Sequence, residues 1–306
     1  MKNLLVITGP TACGKTALAE LIANTYRCPI ISADSRQFYK ELPIGTAQPS
    51  KESLEKIEYH FVANLSLKEE MNAGQFERDV GNKIISLFGK HNLVIVCGGS
   101  GLYIKALLDG LDFFPEKDEE FRNSLISLYQ TQGLKALIDR LPKHIYNTLN
   151  KSDQLNPQRL MRHIEIAELP QTALPESRKI FGTNPWREYK QQVNIIYTAL
   201  NPEREILYKN IDTRVDQMMK AGFENEVRQI SLELKHINAL QTVGYKELFE
   251  YIEGVIDLPT AIDRIKQHTR NYAKKQLTWL RREKNIQWFD IDDINKYVDF
   301  LEQNLK

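Results

Sequence analysis

The segment Gly9-Pro10-Thr11-Ala12-Cys13-Gly14-Lys15-Thr16 follows the pattern G-x-x-x-x-G-K-[ST]. It lies between an apolar run, Leu4–Thr8, and a helical pattern over Lys15–Tyr26. A strand feeding such a loop and then a helix is the opening unit of a parallel α/β sheet, and few other folds accommodate it. The physics of the loop is direct. Glycines let backbone N–H groups close around a phosphate, and the N-terminus of the next helix adds positive potential. Lys15 contributes a compact charge, and the Thr16 hydroxyl is placed to hold a magnesium ion. All eight residues, Gly9, Pro10, Thr11, Ala12, Cys13, Gly14, Lys15 and Thr16, are expected to bind a di- or triphosphate. The motif by itself names no reaction.

Other short apolar runs, Pro29–Ser32, Leu93–Cys97, Val193–Thr198 and Ile286–Phe289, recur between helical patterns such as Gln75–Gly89. They do not alternate with polar residues, as expected of strands buried on both faces. The fold expected is α/β, a P-loop parallel sheet flanked by helices, with a mostly helical insertion domain. The insertion shows in the middle of the chain. No convincing strand occurs from about Phe113 to Gln192, Asn156-Pro157 reads as a capped helix start, and Leu160, Ile164 and Ala167 recur at helical spacing. A stretch with three prolines, 169–185, reads as loop or hinge, and Asn201-Pro202 as another helix start. The expected organisation is therefore a first part of the core over 1–112, an insertion over 113–192, and a second part of the core over 193–306.

Composition mainly excludes. The 306 residues suffice for a large core, and the net charge of +1 means that any nucleic-acid surface must be a local patch. Cys13, Cys28 and Cys97 have no metal-ligand spacing and read as reduced thiols. No signal peptide and no run of about 18 apolar residues is present, so a cytoplasmic protein is expected. No oligomerisation helix is evident, and a monomer is expected.

Two strand ends separate this chain from an ordinary P-loop ATPase. Leu93–Cys97 ends in Gly98-Gly99-Ser100-Gly101 rather than in the Asp that helps hold magnesium in energy-coupling enzymes. The run Pro29–Ser32 leads into Asp34, which points toward the crevice at the strands' carboxyl ends, where ligands bind in such sheets.

At this point five separated blocks resemble the tRNA dimethylallyltransferases, also called tRNA isopentenyltransferases. They are Gly9–Thr16; Ser32–Gln37 with Ile44–Ala47; Gly98–Tyr103; Pro157–Ile166 with Asp212–Asp216; and Val243–Glu247 with Thr269–Trp279. The resemblance is collinear from about residue 3 to residue 290, and the order of the blocks is what makes it specific. Cys13 stands where the family has Ser, and Ser100 where it has Thr. Around Glu58–Phe61 a pair of histidines is reduced to His60. The sequence shows no zinc finger of the kind eukaryotic members carry, and a chain of bacterial type is expected.

The resemblance implies transfer of a dimethylallyl group from dimethylallyl diphosphate to the exocyclic amine of the adenosine on the 3′ side of the anticodon, giving N6-isopentenyladenosine. Asp34 would be the general base, Ser100 a hydrogen-bond partner near the reacting amine or the bridging oxygen, and Lys15 and Arg214 diphosphate ligands beside Mg2+ on Thr16. For Arg214 a salt bridge with Asp212 or Asp216 is the competing reading. The tRNA, through its anticodon stem-loop, would be touched by Asp34, Ser35, Arg36 and Gln37, by Ser100, and by Gln158, Arg159, Leu160, Met161 and Arg162. Gln241, Thr242, Val243, Gly244, Tyr245 and Lys246 would join them, as would Lys274, Lys275, Gln276, Leu277, Thr278, Trp279, Leu280 and Arg281. Phe38 and Tyr39 could assist extrusion of the base, although core packing also accounts for them. From Arg264 to Lys284 there are eight Lys or Arg against one acid, Glu283, with His268, Tyr272 and Trp279 interleaved; this favours RNA over a plain solvated face. Three alternatives remain at this level: an isopentenyltransferase acting on free adenine nucleotides, a P-loop small-molecule kinase, and a nucleotide-gated RNA-binding protein.

Overall fold

The computed structural model describes residues 1–111, 118–168, 184–290 and 293–306. Their contacts divide the chain into two compact units, Met1–Gly110 with Asn184–Lys306, and Leu111–Thr183.

The first unit is built on a six-stranded parallel sheet in the order β3-β2-β4-β1-β5-β6. The strands are β1 (Lys2–Thr8), β2 (Ile30–Ser32), β3 (Tyr59–His60), β4 (Leu93–Cys97), β5 (Val193–Leu200) and β6 (Gln287–Phe289). Successive side chains on a strand point to opposite faces. Leu4 and Val6 of β1 accordingly enter one hydrophobic core with Val94 and Val96, while Leu5 and Ile7 enter a second with Ile95 and Cys97. Each face is covered by helices, which explains why the strand sequences are continuously apolar.

The helices of this unit are α1 (Lys15–Tyr26), α2 (Lys51–Lys56), α3 (Ala73–Phe88) and α4 (Gly101–Asp109), and, after the other unit, α9 (Pro185–Tyr189), α10 (Arg204–Lys220), α11 (Phe223–Arg228), α12 (Tyr245–Ile252), α13 (Leu258–Leu280) and α14 (Ile294–Asn304). Helix α9 packs in the sheet's core: Trp186 is fully buried against Gly81 and donates its indole N–H to the Leu107 carbonyl. Residues 184–192 thus belong to the sheet-bearing unit, although no strand pattern marks them in the sequence. Helix α10 begins at Arg204 rather than at Asn201-Pro202, because the Asn201 amide is held by the Phe289 carbonyl of β6 and prolongs the strand.

The regular elements among the second unit's described residues are all helices: α5 (Glu119–Arg140, interrupted at Gly133), α6 (Lys143–Tyr146), α7 (Lys151–Gln154) and α8 (Pro157–Glu168). Asn156 caps α8 through its side-chain oxygen, which accepts from the amides of Gln158 and Arg159. Leu160, Met161 and Ile164 form its core with Leu125, Leu137 and Leu141. The proline-containing stretch 169–183 lies outside the described residues.

Candidate active site

The chain crosses over between β1 and β4, and in parallel sheets ligands bind at the carboxyl ends of strands where such a switch occurs. A cavity of about 610 Å³ opens at this edge of the first unit.

One end of it is the Gly9–Thr16 loop. Gly9 has φ +146°, and a Cβ there would lie 2.8 Å from Cys13 Sγ and 2.9 Å from the Leu200 carbonyl oxygen. The loop is therefore folded tightly against the end of β5. Gly14, at φ +93°, turns the chain into α1. Thr11, Lys15 and Thr16 reach the cavity wall, while Pro10 and Cys13 are buried beneath and shape it. Lys15 Nζ donates to the Pro10 carbonyl at 2.6 Å, so its ammonium arches over the loop. Gln276 of α13 clips the loop in place: its Oε1 accepts from Thr11 N at 2.8 Å, and its Nε2 donates to Gly99 O at 3.0 Å.

Asp34, Ser35, Arg36 and Gln37 follow β2 along the wall. Asp34 Oδ1 accepts the Arg36 amide at 3.0 Å, closing a turn that presents the carboxylate. Ser100 stands behind this turn rather than on the wall. Its Oγ accepts the Ser35 amide at 2.9 Å and donates to Ser35 Oγ at 3.2 Å. Gly98 permits this approach, because a Cβ there would meet the Ala33 carbonyl at 2.2 Å. Gln37 accepts from Ser32 Oγ and donates to the Ala47 carbonyl, tying the segment Ile44–Ala47 to the same wall. Phe38 and Tyr39 are core residues.

Arg214 of α10 also faces the cavity. Asp212 pairs with Arg270 at 2.5 Å and Asp216 with Lys266 at 2.6 Å, so neither acid takes Arg214. Burial lowers its guanidinium pKa, and the Asp34 carboxylate opposes that shift. Burial also lifts the Cys97 thiol, at the end of β4, to about 12.

The far wall comprises Gln241, Thr242, Val243, Gly244 and Lys246, with Lys275 and Gln276. Tyr245 turns inward instead: it is fully buried, and its hydroxyl donates to Glu226 at 2.7 Å. Glu226 also accepts the amides of Ile44 (2.6 Å) and Gly45 (2.9 Å), so one buried carboxylate holds two cavity loops together. Glu247 accepts the Gly244 amide at 2.7 Å and contacts His268 Nδ1 at 2.5 Å.

The remaining residues nominated from the sequence are more dispersed. Leu277 and Leu280 pack toward the core, Thr278 bonds back to the Lys274 carbonyl, Trp279 packs on Gly101, Lys274 lies over the Tyr208 ring at 5.7 Å, and Arg281 is exposed. In the second unit Leu160 and Met161 are buried, which leaves Gln158, Arg159 and Arg162 as the polar members of that run. Gln158 accepts from Arg122, Arg159 pairs with Asp153, and Arg162 pairs with Glu165 at 2.9 Å. Several lining residues carry no motif signal, among them Pro49, Met218 and Phe223. His268 and Tyr272 also line it. Their i, i+4 spacing, continued by Gln276, was the available clue.

Comparison with known proteins bears on this geometry. A sequence model of the IPP transferase family matches residues 37–283. The chain is 41% identical over 305 residues to a tRNA dimethylallyltransferase of Cytophaga hutchinsonii, covering 100% of this chain and 98% of that protein. It is 42% identical over 311 residues to one of Christiangramia forsetii, covering 100% and 99%. Among solved structures, the full-length tRNA isopentenylpyrophosphate transferase of Bacillus halodurans superposes with a TM-score of 0.71 at 30% identity, covering 100% of this chain and 97% of that one.

Proposed function

The chain belongs to the IPP transferase family, and on that premise we propose that its cavity holds dimethylallyl diphosphate by the Gly9–Thr16 loop and Arg214 while Asp34 takes a proton from the tRNA adenosine being alkylated. The enzyme is a prenyl transferase. The target we assign is the exocyclic amine of the adenosine on the 3′ side of the anticodon. The observation that carries this reading is that Lys15 and Thr16, Asp34, and Arg214, from three separate segments, line one cavity.

The chemistry has two demands. The amine lone pair is delocalised into the adenine ring, so the nucleophile is weak until its proton is accepted. The leaving diphosphate must have its charge balanced as the carbon–oxygen bond breaks. Lys15, Arg214 and the loop amides supply fixed positive potential where that charge develops, and such preorganised donors are typically the largest catalytic term. The amine nitrogen bonds to the allylic carbon, the diphosphate leaves with the electron pair of the broken bond, and the amine proton passes to the Asp34 carboxylate. Ser100, through Ser35, is a positioning residue for the turn that presents this carboxylate.

Magnesium suits the phosphate end. Among the described residues no group of three His, Cys, Asp or Glu could cage a metal, and the Thr16 hydroxyl is the oxygen that the loop motif offers at this end. Magnesium is commonly held by one or two protein ligands, with substrate phosphates and waters completing its shell. Bound there, it would further neutralise the leaving diphosphate.

The decisive assay incubates the protein with magnesium, dimethylallyl diphosphate and unmodified tRNA, and seeks one added five-carbon unit on adenosine by mass spectrometry of the digested RNA. A parallel reaction supplies AMP in place of tRNA. Gain on tRNA alone is the expected outcome. Gain on AMP alone would transfer the assignment to a free-nucleotide enzyme.

A further inference from the structure

Helix α13 presents one row of side chains to the cavity: His268, Thr269, Tyr272, Lys275 and Gln276. Residues four apart on a helix lie one above the other. Tyr272 is therefore set between two fixed points. One turn on, Gln276 grips the phosphate loop through Thr11 and Gly99. One turn back, His268 is held by the buried Glu247. Among the described residues the Tyr272 phenol makes no hydrogen bond and its ring no aromatic contact, and the residue is 45% exposed. A large ring on a rigid helix, lining a cavity and nearly half exposed, is unusual for a core-packing role. It stands instead within electrostatic reach of Asp34 and Arg36.

An adenosine offered to Asp34 must leave its stack, which costs a few kcal/mol unless a new stacking partner replaces the lost neighbours. Single-stranded RNA is recognised largely by splayed bases stacked on aromatic side chains. Phe38, Tyr39 and Phe223 are buried in the core, and Tyr59 is tied to Glu20 through its hydroxyl, which leaves Tyr272 as the exposed ring on the cavity among the described residues. We infer that Tyr272 is the stacking platform for the acceptor adenine, its ring replacing the base's lost neighbour and fixing the amine against Asp34. This rests on the transferase reading above and adds to it a residue that binds the acceptor rather than the donor.

The test uses a tRNA anticodon stem-loop carrying 2-aminopurine in place of the target adenosine, together with the natural substrate. Wild-type protein should bind the fluorescent base in a quenched state, as stacking demands. Tyr272→Leu should bind it with bright emission. Loss of one stacked base is typically a ten- to hundredfold effect. Tyr272→Leu should therefore lose roughly that much kcat/KM for tRNA while the KM for dimethylallyl diphosphate stays within about twofold of wild type, which also shows that the variant is folded. Tyr272→Phe should keep the quenching and most of the activity. Equal emission from wild type and Tyr272→Leu, or Tyr272→Phe as impaired as Tyr272→Leu, would overturn the stacking role. Wild type that alkylates no tRNA would instead overturn the transferase reading itself.

Discussion

At the end of the cavity proposed to hold the diphosphate, the groups on offer are mainly backbone amides of the Gly9–Thr16 loop, and their positions follow from glycine geometry. Gly9 and Gly98 admit approaches that a single methyl group would block, and Gln276 braces the loop from α13. At the acceptor end the wall is made of side chains on helices, steadied by the buried carboxylates Glu226 and Glu247. The contrast fits the two substrates. A diphosphate is the same in every turnover and suits a rigid cradle. An RNA loop must be admitted, read and released, and side-chain contacts allow each of these to be tuned separately.

The two ends should respond differently to substitution, and Asp34, between them, is the sharpest probe. Asp34→Asn keeps the oxygen that accepts the Arg36 amide and so keeps the turn, but it removes the proposed base. Turnover should fall by about 10²–10⁴, as for loss of a general base, with the dissociation constant for tRNA changed less than about threefold. Single-turnover kinetics and a filter-binding titration measure the two quantities. Unchanged turnover would place the base elsewhere.

Gln276→Leu tests whether the phosphate cradle depends on α13. It strands the Thr11 amide and the Gly99 carbonyl, and a buried polar group left unpaired costs about 1–3 kcal/mol. The melting temperature should fall, and the KM for dimethylallyl diphosphate should rise by about tenfold, more than the KM for tRNA. Equal increases in both would mean that the two ends are not built independently.

The same division governs what the sequence discloses. The phosphate loop was legible because its parts are contiguous and its glycines have conformational reasons to be there. Four of the apolar runs correspond to β1, β2, β4 and β5, and the fifth to β6, within a residue or two at most ends. β3 escaped because a two-residue strand has no pattern to show. At the acceptor end, motif blocks mark stretches of chain but not faces of helices. The block at 157–166 includes Leu160 and Met161, and the block at 243–247 includes Tyr245, yet all three are buried. The helical pattern of 157–166 could have separated Leu160 and Ile164 from the polar face; Tyr245 has no such signal, because its burial depends on Glu226 and Phe223 from another helix.

Charge shows the same limit, and gives the smallest but most discriminating effect. The run from Arg264 to Lys284 carries a single acid in sequence, but in space Arg264 meets Glu250, Lys266 meets Asp216 and Arg270 meets Asp212. These acids lie on the other helices α10 and α12, outside the run itself. Lys275, at the cavity, has no such acid among the described residues, and neither has the exposed Arg281. A cation that neutralises an RNA phosphate releases a counterion, and each such contact contributes about 0.7–0.9 to the slope of log affinity against log salt. Lys275→Ala and Arg281→Ala should each flatten that slope by about this amount. Arg264→Ala should flatten it less, since its charge is already balanced by Glu250. Salt titrations of tRNA binding over a fourfold range of concentration would resolve the difference. Equal slopes for the three variants would mean that the pairs open when RNA binds, and the whole run would then act as one basic surface.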